Sequence, residues 1–191
     1  MRIKGWSACY AAVLLFFTLP VLAETTGFEC TGPNGPQYLN PDFGLHTADL
    51  IDVKGKFVGV VEVYNTQDEM KFILKPTGDE YIKEFWLWTD SDISAIPRKY
   101  DGDPDLKKFP FEKTPKGLQK GEVYELSLNL LDQLDFNWKG ESHKWWYLLA
   151  GKTGTKEFMA KGPCEVLDTK KGGFTFNPKW IHHPDRGHFI D

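Results

Sequence analysis

Residues 123–130 read Val-Tyr-Glu-Leu-Ser-Leu-Asn-Leu. Tyr124, Leu126, Leu128 and Leu130 take one parity and Glu125, Ser127 and Asn129 the other. Successive side chains of a strand point to opposite faces, so this alternation predicts a strand with one apolar and one wet face. The same reading extends upstream. Phe57–Tyr64 is a β-branched run bounded by Lys54-Gly55 and Asn65-Thr66. Met70, Phe72 and Leu74 alternate with Lys71, Ile73 and Lys75 up to Pro76, and Ile82–Trp88 follows Thr77-Gly78-Asp79. Downstream, Trp145–Ala150 and Glu157–Ala160 are joined through Gly151–Lys156, and Phe174–Phe176 adds a last strand. A short helical turn is expected near Thr47–Ile51. Short strands separated by turn residues, without an amphipathic helix of three turns, predict an all-β chain: one antiparallel β-sandwich domain, jelly-roll or immunoglobulin-like.

Composition agrees with a single packed body. The chain has 191 residues, 41% apolar and 15% aromatic, with 7 Trp. That apolar share excludes global disorder, a collagen or a coiled coil. A formal charge of −4 argues against nucleic acid held by a basic surface. No strand–helix–strand alternation supports a dinucleotide or phosphate-loop fold.

Residues 1–23 read as a signal peptide: Arg2 and Lys4, an apolar run from Ala11 to Leu19, then Val21-Leu22-Ala23 before the cut. The run is short for a membrane span, so no transmembrane segment is expected after its removal. This predicts a secreted or periplasmic chain. Cleavage would remove Arg2, Lys4 and Cys9 and leave Cys30 and Cys164 as the cysteines. An even pair in an exported protein reads as a disulfide; the alternative is a pair of metal-binding or catalytic thiols. The expected layout is an N-terminal arm over 24–56, a sandwich over 57–176 with a long loop at 89–121, and a His-containing tail over 177–191.

The order of short motifs is similar to that in an uncharacterised family of secreted bacterial β-sandwich modules. Those motifs are Asn65-Thr66, Trp86-Leu87-Trp88, Ile96-Pro97, Phe109-Pro110-Phe111, Tyr124–Leu128 and Tyr147-Leu148-Leu149-Ala150, spread over about residues 57–162. The resemblance implies a fold and an export route. It implies no catalytic residue, and Leu149-Ala150-Gly151-Lys152 departs from the family pattern.

Three groups of residues could carry chemistry. Trp86 and Trp88 share a face of one strand, while Trp145 and Trp146 split across two. Exposed, these aromatics would stack on sugar rings or a partner protein; buried, they are core. Asp101, Asp103, Asp105 and Glu112 stand at positions 1, 3, 5 and 12 of a calcium-loop spacing. Leu106, however, occupies the position where that loop wants Gly, and the same residues serve equally as a solvated turn. His182, His183 and His188 offer zinc-type ligands in a tail whose plain reading is a polar chain end. No Gly-x-Ser-x-Gly or His-Glu-x-x-His motif is present. The sequence therefore points to an exported, non-catalytic binding or surface-interaction module for carbohydrate or protein. Its alternatives are a secreted hydrolase using acidic residues, or a module dependent on Ca²⁺ or Zn²⁺.

Overall fold

A computed structural model describes residues 28–30, 45–113, 116–136, 144–166 and 174–181. It is all-β, with antiparallel pairing throughout. The strands are β1 Phe28–Cys30, β2 His46–Asp52, β3 Phe57–Asn65, β4 Glu69–Pro76, β5 Ile82–Asp90, β6 Phe111–Lys113, β7 Tyr124–Asn129, β8 Lys144–Thr153, β9 Glu157–Ala160, β10 Cys164–Val166 and β11 Thr175–Trp180. Hydrogen bonds join them into one curled sheet of eleven strands. Two separate sheets, as a jelly-roll or immunoglobulin-like sandwich requires, do not emerge from the pairing of the described residues.

The node is β8, ten residues long. One of its edges pairs with β5 from Trp146 to Thr153. Its other edge pairs first with β11, Tyr147 standing opposite Asn177, and then with β9, Ala150 standing opposite Met159. From β9 the sheet continues through β2, β3 and β4 to β7, where the path ends. From β11 it runs through β10 to β1.

Parity along β8 decides where everything sits. Trp145, Tyr147 and Leu149 enter the main core with Phe85 and Leu87 of β5, Phe72 and Leu74 of β4, and Leu126 and Leu128 of β7. Inward side chains from strands across the sheet meet in this one cluster, which is how a curled sheet fills its own hollow. Leu148 and Ala150 point the opposite way, into a second cluster with Trp88, Ile96, Phe109, Cys164 and Phe176. The long loop thus acts partly as a lid on the convex face of β5 and β8. Its Ile96 and Phe109 are buried there, and Trp88 meets Phe176 edge-on with ring centroids 5.7 Å apart.

Thr47–Ile51, expected as a short helical turn within an arm, lies inside strand β2 instead, with Ala48, Leu50 and Asp52 buried in alternation. Strand β1 also falls within that arm. No helix among the described residues is long and apolar enough to cross a membrane.

Gly151 marks a tight crossing of β8 with β5 and β9. A Cβ there would run into the Phe158 ring and stand 2.6 Å from the Glu84 carbonyl oxygen. Gly151→Ala is therefore expected to cost about 1–3 kcal/mol in urea unfolding, as overpacked sites do. A Phe158→Leu background should reduce the increment, since it removes the ring from the clash and leaves only the carbonyl.

Candidate functional site

A groove of about 230 Å³ lies on the convex face beside the partly exposed Trp86. Trp86 is placed by β5, opposite Ala150 of β8 and Glu112 of β6. One wall is the long loop, through Lys99, Leu106 and Lys107; the other is the β8–β9 hairpin, through Lys152, Glu157 and Met159. Val53 and Phe174 close the groove from distant parts of the chain. Lys152 Nζ lies 5.1 Å from the Trp86 ring centroid and 3.0 Å from Glu84 Oε1, so the cation is held over the ring by a carboxylate.

The four tryptophans expected as one platform do not form one. Trp86, Trp88 and Trp146 share the convex face, but Trp88 is buried beneath the loop. Trp145 sits on the concave side against Phe136, with centroids 6.0 Å apart. Trp146 lies at the far end of the convex face, with Lys144 Nζ 4.1 Å from its ring centroid. Desolvation holds the Lys144 ammonium pKa below its ordinary value. Only Trp86 combines partial exposure with the groove.

The acidic loop is built as a turn. Lys99 N donates to the Asp103 carbonyl at 2.8 Å, and Gly102 N donates to the Lys99 carbonyl at 3.1 Å with Gly102 at φ 85°. Asp103 is buried, Asp105 Oδ2 lies 3.6 Å from Lys108 Nζ, and Glu112 of β6 is exposed. Among the described residues, no group of three or more His, Cys, Asp or Glu side chains is placed to hold a metal ion. His182, His183 and His188 lie outside the described residues, as do residues 1–23, which were expected as a signal peptide.

Other carboxylates with displaced pKa values serve local structure. Asp52 accepts from the backbone N–H groups of Lys56 and Lys54, each at 2.8 Å, and lies 3.4 Å from Lys156 Nζ. Those bonds hold its pKa below the ordinary value despite burial. Glu80 is lowered by the Thr153 hydroxyl and by Lys156 Nζ, 3.0 Å away. Lys156 so clamps the turn after β2 to the approach of β5. Asp92 is lowered by the hydroxyl and backbone N–H of Ser94, whose short helical turn it caps.

Sequence reading missed the groove because Val53, Trp86, Lys107, Met159 and Phe174 meet only in the folded sheet. Trp86 and Asp105 were its members singled out in the sequence, each for a different site. No protein-family model matches the chain, no curated protein matches it, and no solved structure matches it. The resemblance over residues 57–162 rests on its own motifs.

The depressed carboxylates set a direction with pH. Their contribution is complete above the ordinary values, 3.8 for Asp52 and 4.5 for Glu80, and is lost as pH falls through the lower folded values. Urea midpoints measured from about pH 7 to about pH 2 should therefore fall on acidification. In Asp52→Asn/Glu80→Gln the fall should be shallower, from a lower starting point.

Proposed function

We propose that this chain is an exported, non-catalytic binding module that takes a sugar ring in the groove beside Trp86. The observation that carries the reading is the groove itself. A partly exposed indole, Met159 and Phe174 give it an apolar interior, and Lys99, Asp105 and Glu157 bring polar groups to the same lining. A pyranose has a face of C–H bonds that packs on an aromatic ring and hydroxyls at its edge that need donors and acceptors. At about 230 Å³ the space suits one ring rather than a drug-sized molecule.

The non-catalytic part draws support from the carboxylates. Those with displaced pKa values, Asp52, Glu80, Asp92 and Glu125, are all displaced downward by hydrogen bonds or ion pairs. A general acid needs the opposite shift.

Export and a Cys30–Cys164 cross-link belong to the same proposal. Its structural support is the register of β1 on β10, in which the two cysteines are direct cross-strand partners. Such partners have Cα atoms about 4.5–5.5 Å apart, within the reach of a disulfide. Cys164 is fully buried. By the chain-entropy argument, closing so long a loop adds about 4–5 kcal/mol.

Two measurements test this. Indole fluorescence titrated with neutral and acidic oligosaccharides should shift saturably in the wild type and in Trp145→Phe, and fail to shift in Trp86→Ala. Flat titrations across the whole sugar set dismiss the carbohydrate reading, and a response only to a protein ligand reassigns the groove to protein binding. Separately, the natural product should begin after Ala23 and resist alkylation at both cysteines until reduced. An intact leader with two free thiols overturns export and cross-link together.

A further inference from the structure

The walls of the Trp86 groove differ in charge from the chain that carries them. Over the whole sequence 27 acidic groups outnumber 23 basic ones. In the groove lining the order reverses, with Lys99, Lys107 and Lys152 against Asp105 and Glu157. Lys152 and Asp105 are already engaged. Glu84 holds Lys152 at 3.0 Å, and Asp105 Oδ2 lies 3.6 Å from Lys108 Nζ. What remains is Lys99 and Lys107 on the loop wall and Glu157 on the hairpin wall. Both lysines are exposed, and neither has an ion-pair partner among the described residues.

The loop fixes where these two side chains start. Lys99 is pinned at both backbone groups, its N–H donating to the Asp103 carbonyl at 2.8 Å and its carbonyl accepting from Gly102 N at 3.1 Å. Asp105 N donates to the Pro97 carbonyl at 2.8 Å, on the far side of the Arg98–Pro104 bridge. Lys107 belongs to the helical turn Leu106–Lys108, closed by Phe109 N donating to the Leu106 carbonyl at 3.2 Å. Ile96 and Phe109, buried at either end of this stretch, tie it to the sheet. An anion arriving at the loop wall therefore meets placed positive charge that no carboxylate of the protein has claimed.

We infer that the sugar taken by the groove is an acidic one, with its anionic group toward Lys99 and Lys107 and its hydroxyls toward Glu157. This rests on the sugar reading of the groove and adds the class of sugar. The Glu157 carboxylate only accepts hydrogen bonds, so it suits a hydroxyl edge and repels a second anion. Lysine is a point charge on a flexible stem, without the planar fork by which arginine selects a carboxylate. The loop wall thus reads charge rather than shape, and either a uronate or a sulfate ester satisfies it.

Calorimetry on the full chain with neutral galactotriose, trigalacturonate and a sulfated galactotriose tests this. Ionic strengths of about 0.01 M and about 1 M set the Debye length to about 30 Å and about 3 Å. At the lower salt at least one acidic sugar should bind about tenfold more tightly than the neutral one, as two exposed charge contacts allow. Which one does so identifies the anion. At the higher salt the ratio should fall toward unity. Lys99→Gln/Lys107→Gln should bring it toward unity at low salt as well, and Glu157→Gln should raise it. The wild-type ratio and its salt dependence stand even if a variant fails to fold. Equal affinities, or tighter binding of the neutral sugar, overturn this inference and leave the sugar reading intact. An acidic preference that persists in Trp86→Ala overturns it too, since the anion then sits elsewhere. No heat with any of the sugars overturns the sugar reading and this inference with it.

Discussion

Strand β8 is buried on both faces, and the rest of the molecule is arranged around that constraint. Its run Trp145-Trp146-Tyr147-Leu148-Leu149-Ala150 leaves no parity free for water. One parity needs a hollow to fill, and the curl of β5, β9, β2, β3, β4 and β7 provides it. The other needs a cover. The long loop and the β10–β11 end of the sheet supply Ile96, Phe109, Cys164 and Phe176 for that purpose. Full burial of a large apolar side chain is worth about 1.5–3 kcal/mol, so a strand carrying five such groups in a row is not left half exposed.

The same constraint separates what could be read in the sequence from what could not. Strands β4 and β7 each have one polar face, with Lys71 paired to Glu125 across it at 2.7 Å, and their period of two is plain. Tryptophan parity was equally legible, Trp86 with Trp88 and Trp145 against Trp146. Exposure was not, because the burial of Trp88 needs the following loop to fold back over it and Phe176 to arrive from the far end of the chain. Strand β2 hid behind Ala48, Asp49 and Asp52, residue types depleted in strands. Asp52 is tolerated there because the following turn turns its backbone N–H groups onto the carboxylate. Strands β1 and β10 are three residues each and pair across most of the chain, which no local pattern reports.

The polar residues of the concave face were legible only as individuals. Thr89, Tyr147 and Asn177 are far apart in sequence, and alignment across β5, β8 and β11 puts them in a row. Alternation along β8 then gives neighbouring residues to different neighbourhoods. Trp146 and Leu148 belong to the loop-covered side, while Trp145 and Tyr147 belong to the hollow. A substitution on one parity of β8 shares backbone but not surroundings with its neighbour on the other.

The curled sheet leaves its terminal strands unequal. Strands β1 and β6 have three residues each, too few for a foreign strand to find a register. At the remaining end, β7 offers six residues whose outer edge has no partner among the described residues. Open edges recruit other strands, including copies of themselves. Association under crowding would thus act first at Tyr124–Asn129, where the exposed Glu125 keeps that border hydrated.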